Sequence, residues 1–471
     1  MNRLTTDDTI VAPATVPGTG AISIVRVSGP DCFRFTDAVV QLKHGSISEC
    51  EGYTIHYGEV SGLDDVLVSV FRAPHGYTGE DAVEISCHAS RYIVEELVRR
   101  LLAAGCRLAG PGEFTRRAFL NGKMDLAQAE AVADLIASTS AASHRVAYNQ
   151  LRGGFSTELA RLRGELVEMT SLLELELDFS EEEVEFADRA RLLDLVDKTQ
   201  DHVVRLADTF KFGNAIRNGV PVAIVGATNV GKSTLLNALV GEDRALVSDI
   251  AGTPRDTVEE VINLDGIPFR FIDTAGIRET AETVEKMGIE RTFRKISEAE
   301  IVIGLLDVTA DKTSIFDNLK LMLSKVDFEK QKLVLCLNKV DKGSELDVNK
   351  NVNMINEFVT STEKEIVVLE MAAKRGIGLD QLRTTLSTLE SHLIPNADST
   401  FVTNIRHYEA LRQNADSLAD ARLALTAGTP ADLVAEDLRR AIASLNQILG
   451  TDLIDPESLL QNIFRNHCIG K

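Results

Sequence analysis

The sequence predicts a multidomain α/β protein in which a doubly wound α/β domain is inserted into a discontinuous helical domain, after an N-terminal α+β domain. Three observations predict it. Short β-like runs and one clear helix fill residues 1–121, helical patterns fill residues 122–215 and 385–471, and strand-like runs alternate with helical patterns over residues 216–384. Helical segments on both sides of one α/β segment indicate the insertion. A chain of 471 residues is long enough for about three domains.

The N-terminal domain, residues 1–121, is predicted from the runs "AISIVRVSG", "VLVSVFRA" and "DAVEISCHA" and from the stretch "ASRYIVEELVRRLLAAG". Short alternating runs are typical of half-buried strands, and apolar residues at intervals of three and four are typical of a helix. We therefore expect strands and at least one helix to share an α+β domain.

The helical domain is predicted from apolar residues at helical spacing, among them Leu162, Leu166, Met169 and Leu173. Its second segment contains "HYEALRQNADSLADARLAL" and "VAEDLRRAIASLNQIL". The acidic run Glu181–Glu183 is interpreted as a solvated stretch.

Composition and charge predict a soluble cytoplasmic protein. The stretch "MNRLTTDDTIVAPA" lacks the apolar core of a signal peptide, and no apolar run reaches the roughly 20 residues of a membrane span. Six scattered cysteines without CxxC spacing argue against a disulfide framework and a structural zinc site. The formal charge of −21 disfavours a surface that holds nucleic acid by itself, so an RNA substrate would require a local basic patch or a basic partner protein.

The segment "GATNVGKS", Gly226–Ser233, has the pattern of a P-loop between the strand-like "VPVAIV" and the helix-like "KSTLLNALVG". Backbone N–H groups of such a loop surround phosphate oxygens. Lys232 would neutralise the β- and γ-phosphates, and the Ser233 hydroxyl would contact Mg²⁺. The strand before and the helix after make a plain glycine-rich turn a poor alternative.

Two further motifs at strand ends indicate a guanine nucleotide. "DTAG", Asp273–Gly276, supplies a Mg²⁺-side aspartate and a γ-phosphate-sensing glycine. "NKVD", Asn338–Asp341, supplies a carboxylate that accepts hydrogen bonds from N1–H and the 2-amino group of guanine, a pair of donors that adenine lacks.

The order and spacing of these motifs resemble those of translation-factor-like GTPases, which predicts a Ras-like P-loop GTPase domain. In that family a loop with Ser-Ala-Lys or similar supports the base; here it is "AAK", without the serine hydroxyl. The predicted GTP-binding residues are Asn229, Val230, Gly231, Lys232, Ser233, Thr234, Ser248, Asp249, Ile250, Ala251, Gly252, Thr253, Pro254, Asp273, Thr274, Ala275, Gly276, Asn338, Lys339, Val340, Asp341, Ala372, Ala373 and Lys374.

These motifs do not by themselves explain GTP hydrolysis. The position after Gly276, where a glutamine often orients the attacking water, is Ile277. The sequence shows no obvious arginine finger. Another group must therefore supply positive charge and position the water.

Four stretches together resemble the MnmE family of tRNA modification GTPases. They are "DTIVAPATVPGTGAISIVRVSG", "GPGEFTRRAFLNGKMDLAQAEAVADLI", the inserted domain with "DIAGTPRD" and "DTAGIRETAETVEKMGIER", and the terminal "CIGK". The resemblance runs over the full length, and "CIGK" and "PGEF…RAFLNGK" are its most specific parts. It implies an N-terminal folate-binding domain related to the glycine-cleavage aminomethyltransferase fold, a discontinuous helical domain and an inserted GTPase domain.

The resemblance also implies an activity and partners. Members of this family form homodimers through their N-terminal domains and pair, in a heterotetramer, with MnmG, a FAD-dependent protein. Together they build an aminomethyl or carboxymethylaminomethyl group on C5 of the wobble uridine of certain tRNAs, with a one-carbon unit from a tetrahydrofolate derivative (5-formyl- or methylene-tetrahydrofolate). The partner would then carry much of the RNA contact that the acidic charge disfavours.

By the same resemblance, the folate contacts fall on Arg26, Glu84, Lys123 and the terminal Lys471. A carboxylate such as Glu84 suits the donor pair of a pterin edge, and basic groups suit a glutamate tail. Cys468 is expected beside the one-carbon unit, where its thiolate would act as a nucleophile. The alternative is that Cys468 is a small buried apolar residue and the tail only a packing element.

The resemblance further implies a K⁺ ion beside the phosphates, which does the electrostatic work of an arginine finger. Its ligands would be Asn229, Ser248, Ile250 and Thr253, and Glu285 would be the carboxylate that positions water.

One position departs from the family pattern. The family reads Gly-Thr-Thr-Arg-Asp where this chain has Pro254 in place of the second threonine. Pro254 has neither a hydroxyl for Mg²⁺ nor an N–H. Either Thr253 substitutes for the missing hydroxyl with a shifted loop, or a water fills that coordination position.

Two other functions share part of the pattern. A ribosome-assembly or translation-associated GTPase would bind RNA without modifying it, and would need neither the folate domain nor a terminal "CIGK". A folate-dependent aminomethyltransferase without GTPase activity disagrees with the complete set of guanine-nucleotide motifs. Binding of formyl- or methylene-tetrahydrofolate distinguishes the tRNA-modifying enzyme from the RNA-binding GTPase.

Overall fold

A computed structural model describes residues 8–178, 189–243, 260–272, 296–342, 344–391, 400–451, 463–464 and 470. The chain divides into two compact units. Unit 1 comprises Met1–Ala137, Ala147–Ala207 and Arg406–Lys471, and unit 2 comprises Ser138–Val146 and Asp208–Ile405. The domain boundaries predicted after residues 121, 215 and 384 stay predictions. The acidic run Glu181–Glu183 lies outside the described residues.

The strands are β1 (Ile10–Pro13), β2 (Ile22–Ser28), β3 (Gln41–Leu42), β4 (Thr54–Val60), β5 (Asp64–Phe71), β6 (Ala82–His88), β7 (Arg107–Leu108), β8 (Val220–Val225), β9 (Glu260–Leu264), β10 (Ile267–Phe271), β11 (Ile301–Asp307), β12 (Lys332–Asn338) and β13 (Ile366–Met371). The helices are α1 (Cys32–Asp37), α2 (Arg91–Ala104), α3 (Glu113–Leu120), α4 (Leu126–Ala137), α5 (Ala141–Leu151), α6 (Gly154–Asp178), α7 (Arg189–Asp208), α8 (Phe210–Asn218), α9 (Lys232–Asp243), α10 (Lys312–Leu323), α11 (Glu345–Ser361), α12 (Leu379–Leu389), α13 (Ile405–Thr426) and α14 (Ala431–Leu449).

The N-terminal part of unit 1 contains a sheet with strand order β3-β4-β5-β6-β2-β1-β7. Its buried face carries Val25, Val68 and Ile85, which pack with Leu97 and Leu101 of α2. Side chains alternate along a strand, and in β5 Val66, Val68 and Val70 are buried while the residues between them are exposed or half-buried. The predicted α+β pattern is confirmed.

The long helix α6 contributes a buried apolar face to the helical part of unit 1. Leu162, Leu166, Met169 and Leu173 lie on one face of α6 and are each at most 1% exposed. These residues lie in a helix, as their spacing predicted, and they form its buried face. At the polar edge of the packing with α14, Arg163 Nε donates to Asn446 Oδ1 at 2.5 Å.

Unit 2 contains a sheet with strand order β13-β12-β11-β8-β10-β9. Among the described strands of this sheet, β9 and β10 pair antiparallel, and the other neighbouring strands run parallel. The central strands β11 and β12 are buried almost throughout, as parallel strands covered on both faces are.

Helices cover both faces of the unit 2 sheet. Leu235 and Leu382, from α9 and α12, belong to the core on one face. Leu319 and Ile355, from α10 and α11, belong to the core on the other face. The predicted doubly wound, mostly parallel sheet is confirmed. Among the helices of the described residues, none combines the length and the apolar character that a membrane crossing requires.

Candidate functional site

The turn between β8 and α9 forms the predicted phosphate-binding loop. β8 ends at Val225 and α9 begins at Lys232, so a strand and a helix flank the loop. Gly231 has a φ of +106°, and a Cβ at this position would lie 2.5 Å from Asn338 Nδ2. A side chain here would push against a buried neighbour, which explains the glycine.

The first turn of α9 carries the side chains predicted to meet phosphates and Mg²⁺. Lys232 Nζ donates to the carbonyl oxygens of Gly226 at 2.9 Å and Ala227 at 2.8 Å. Ser233 is half-buried and Thr234 is exposed. The N–H groups of a helical first turn lack intrahelical acceptors, and they give this end a positive partial charge. The arrangement fits a phosphate group.

Asn338, the last residue of β12, connects the phosphate-binding loop to the loop that follows β13. Its Nδ2 donates to Val230 O at 2.7 Å, and its Oδ1 accepts from Ala373 N at 3.0 Å. The residue is 3% exposed. One side chain therefore fixes the relative position of two predicted parts of the site.

Lys339 adds a second connection to the phosphate-binding loop. Its Nζ donates to Asn229 O at 2.9 Å and to Asp307 Oδ2 at 2.6 Å. Burial raises the pKa of Asp307, but hydrogen bonds from Lys339 and Thr309 outweigh burial and hold this pKa below its ordinary value. Asn229 has a φ of +61° and an exposed side chain, so its amide is accessible to a cation.

Asp341, the predicted guanine-reading residue, follows β12 and faces the loop "AAKR". Its Oδ2 lies 3.0 Å from Nε of Arg375, and the Asp341 side chain is 10% exposed. The ion pairs of Arg375 with Asp341 and of Asp307 with Lys339 were not predicted from the sequence. The available signals were the position of Arg375 directly after "AAK" and the position of Asp307 at the end of an apolar strand.

Several predicted site residues lie outside the described part of the chain. They are Ser248, Asp249, Ile250, Ala251, Gly252, Thr253, Pro254, Asp273, Thr274, Ala275, Gly276, Glu285, Cys468 and Lys471.

A second cluster of predicted residues lies in unit 1, where Arg26 and Glu84 are direct partners in the register of β2 and β6. Arg26 Nε donates to Glu84 Oε1 at 2.9 Å, and the two side chains are 18% and 25% exposed. The guanidinium also lies over the rings of Tyr77, at 5.6 Å, and Phe114, at 5.5 Å. The pair is therefore half-buried beside aromatic surface.

The end of the chain reaches this cluster at Gly470. Arg26 Nη1 donates to Gly470 O at 3.2 Å, and Gly470 is buried with a φ of +97°. A Cβ on Gly470 would lie 2.1 Å from Pro13 O, so only glycine fits this approach. Lys123 Nζ donates to Pro74 O at 3.0 Å, in the β5–β6 segment that also contains Tyr77.

The motif "PGEFTRR" has a structural role next to this cluster. Arg117 is 1% exposed, and its guanidinium contacts Asp8 Oδ1 at 2.7 Å, Glu80 Oε2 at 3.2 Å and Glu113 Oε1 at 3.2 Å. Glu113 also accepts from Gly110 N at 2.8 Å. These contacts connect the start of the described chain and the β5–β6 segment to α3.

Comparisons with known proteins cover both units. The family described as "MnmE helical domain" matches residues 126–468, and "GTP-binding protein TrmE N-terminus" matches residues 9–123. The protein described as tRNA modification GTPase MnmE from Bacteroides fragilis (strain YCH46) is 49% identical and covers 98% of this chain and 99% of its own. Its counterpart from Flavobacterium johnsoniae is 46% identical with the same coverage.

Proposed function

Because the chain belongs to the MnmE family of tRNA modification GTPases, we propose that it hydrolyses GTP to drive modification of tRNA. With an MnmG-type FAD protein it adds an aminomethyl or carboxymethylaminomethyl group to C5 of the wobble uridine of certain tRNAs. The observation that carries GTP binding is the pair of hydrogen bonds that join Asn338 to the phosphate-binding loop and to residues 372–377 after β13, the base-side loop.

The nucleotide site divides into three parts. Backbone groups of Gly226–Gly231 and the start of α9 hold the phosphates, Ser233 holds Mg²⁺, and Asp341 reads the guanine base. The half-buried position of Ser233 at the first turn of α9 and the position of Asp341 just after the end of β12, beside the loop that follows β13, support these roles. Glu285 positions the attacking water in this proposal.

GTP hydrolysis should depend on K⁺ and be slower in Na⁺ by about tenfold or more, because a fixed cation replaces an arginine finger. Asn229→Ala should lose this stimulation and keep the affinity for GDP, since its side chain is exposed while its backbone carbonyl still accepts from Lys339. Initial rates in matched K⁺ and Na⁺ buffers test this. Equal wild-type rates in the two salts would refute the cation's role.

The Arg26–Glu84 cluster is the proposed site of 5-formyl- or methylene-tetrahydrofolate. Glu84 accepts from the pterin edge, and Arg26, Lys123 and Lys471 bind acidic groups. A half-buried carboxylate beside the rings of Tyr77 and Phe114 offers both an acceptor and a flat apolar surface. Cys468, two residues before Gly470, acts as a nucleophile beside the one-carbon unit.

Glu84→Gln should weaken binding of 5-formyl-tetrahydrofolate about ten- to hundredfold, since a hydrogen bond to a charged group contributes about 1.5–3 kcal/mol. GTP turnover in the absence of tRNA should not change. Isothermal titration calorimetry measures the folate affinity, and Glu59→Gln, at an exposed position of β4, is the matched control. Equal affinities for 5-formyl-tetrahydrofolate in Glu84→Gln and Glu59→Gln would show that Glu84 does not contact the folate.

The homodimer is proposed to form through the N-terminal sheet. On its outer face Ile55 is 68%, Tyr57 51% and Leu67 48% exposed, and Tyr57 is the register partner of Leu67. Exposed apolar side chains on one sheet face are typical of an interaction surface. The MnmG-type partner supplies basic surface for tRNA that a chain of net charge −21 lacks.

Mass spectrometry of wobble uridines in cells that lack this gene tests the proposed function. We expect the modified nucleosides to disappear, to return with the wild-type gene, and not to return with Lys232→Ala. Unchanged nucleosides in the deletion strain would favour a GTPase that binds RNA without modifying it.

A further inference from the structure

The loop after β13 carries an arginine that contacts the predicted guanine-reading carboxylate. Arg375 Nε lies 3.0 Å from Asp341 Oδ2; the Arg375 side chain is 66% exposed, whereas that of Asp341 is 10% exposed. We propose that Arg375 is a positioning residue, which orients the Asp341 carboxylate for the base and thereby sharpens selectivity for guanine. This inference rests on the proposed guanine-nucleotide site.

The backbone that carries Arg375 is fixed relative to Asp341. Residues Ala373–Arg375 form a 3₁₀ turn in which Arg375 N donates to Ala372 O at 2.8 Å. Ala372 N donates to Ile377 O at 3.0 Å, which closes the loop. Ala373 N donates to the buried Asn338 side chain at the end of β12, three residues before Asp341. The two residues of the ion pair are therefore carried by backbone segments that hydrogen bonds connect to each other.

The Asp341 carboxylate has acceptor positions for both Arg375 and the base. An ionised carboxyl group has about four lone-pair positions, two on each oxygen. Arg375 contacts Oδ2 as an ion-pair partner at 3.0 Å, and the N1–H and 2-amino group of guanine would use one position on each oxygen. Arg375 and guanine are thus simultaneous partners of Asp341 rather than competitors.

Orientation matters because the terminal torsion of an aspartate is broad when nothing holds it. A freely rotating carboxylate must be ordered when the base binds, which costs affinity. The first residue of this loop, Ala372, has no hydroxyl that could hold Asp341. The guanidinium is planar and weakly hydrated, so it favours one position of the Asp341 carboxylate more strongly than a flexible, strongly hydrated ammonium does.

A comparison of two nucleotides distinguishes a misoriented Asp341 carboxylate from a loop that is merely less stable. Inosine diphosphate keeps N1–H but lacks the 2-amino group, so it uses one hydrogen bond to Asp341 where GDP uses two. The ratio of the dissociation constants for inosine diphosphate and GDP therefore reports how well both oxygens are aligned. A general weakening of the loop would reduce both affinities and leave this ratio unchanged.

Calorimetric titrations of GDP and inosine diphosphate into the full-length wild type, Arg375→Ala and Arg375→Lys test the proposal. Arg375→Ala should weaken GDP binding about two- to fivefold, the range of a partly exposed ion pair, and should lower the selectivity ratio. Arg375→Lys should resemble Arg375→Ala because it keeps the charge but places it on a flexible, strongly hydrated ammonium instead of a planar guanidinium. Lys350→Ala removes the same charge from an exposed site on α11 and should change neither affinity.

Three results would overturn the proposal: an unchanged ratio in Arg375→Ala, tighter GDP binding in Arg375→Ala, or full rescue by Arg375→Lys. Asp341→Asn separates this failure from failure of the guanine site. If Asp341→Asn loses GDP affinity while Arg375→Ala keeps the wild-type ratio, only the role of Arg375 is wrong. If Asp341→Asn binds GDP as well as the wild type, the proposed guanine site is wrong as well.

Discussion

Asn338→Ala is expected to lower the affinity for GDP by about 100-fold or more, because it removes two hydrogen bonds that hold the site together. The side chain is almost completely buried and joins Val230 O to Ala373 N. Truncation leaves a carbonyl and an N–H without their partner, and each such loss costs about 1–3 kcal/mol. The phosphate-binding loop and the base-side loop then lose their fixed spacing.

Asn351→Ala is the matched control for this effect. Asn351 is also buried, and its Nδ2 donates to Val308 O at 2.9 Å, but its hydrogen bond joins α11 to the segment after β11. We expect Asn351→Ala to lower the melting temperature and keep the GDP affinity within about twofold. Equal GDP affinities in the two alanine variants would show that Asn338 contributes only stability.

The second large effect concerns a buried ionic cluster in the helical part of unit 1. Glu130 of α4 is 8% exposed, and its carboxylate lies 2.8 Å from Arg406 Nη2 and 2.6 Å from His407 Nε2 of α13. The His407 ring stacks on Phe155, with centroids 5.4 Å apart. Removing one member of a buried ion pair leaves an uncompensated charge, so Glu130→Gln should destabilise unit 1 by about 3–5 kcal/mol at pH 7.

The pH dependence of this destabilisation follows from the pKa of Glu130. Burial raises this pKa, but the neighbouring His407 and Arg406 outweigh burial and lower it from 4.5 to about 2. A carboxyl group whose pKa falls on folding stabilises the folded state above its unfolded pKa. The contribution is about 3 kcal/mol at pH 7, and it is lost as the pH falls from about 4.5 towards 2.

Urea unfolding followed by circular dichroism measures this difference. The stability gap between the wild type and Glu130→Gln should be largest near pH 7 and should shrink by about 2 kcal/mol at pH 3. Glu174→Gln is the control, because the Glu174–Arg439 pair in the same unit is 46% and 49% exposed and should contribute less than about 1 kcal/mol. A gap that does not change with pH would mean that folding does not shift the pKa of Glu130.

The sequence predicted the elements with strong local patterns. β11 and β12 are continuous apolar runs, and α6 repeats its apolar residues at helical spacing, so burial follows directly from pattern. The strands β3 and β7 have two residues each, which is too short for a recognisable pattern. They form because they pair with the neighbouring strands β4 and β1. In the same way, sequence patterns do not predict the ion pair of Glu130 with Arg406, because the two residues are 276 positions apart in the chain.

The candidate site was predictable to a similar extent. Motif spacing identified the phosphate-binding loop and "NKVD", because strand ends and helix starts bring these residues to one edge of a parallel sheet. The ion pair of Arg375 with Asp341 and the contact of Arg26 with Gly470 could not be predicted, because they depend on loop conformation and on the path of the chain end.

The central claim is that guanine nucleotide turnover at this site drives modification of wobble uridines, and the Asp341→Asn variant tests it most directly. An asparagine at this position pairs with xanthine, which has an oxygen where guanine has its 2-amino group. In a reconstituted reaction with an MnmG-type FAD protein, tRNA, a folate one-carbon donor and K⁺, we expect Asp341→Asn to modify uridine with xanthosine triphosphate and not with GTP. Modification at the wild-type rate with GTP, or without any nucleoside triphosphate, would contradict the claim.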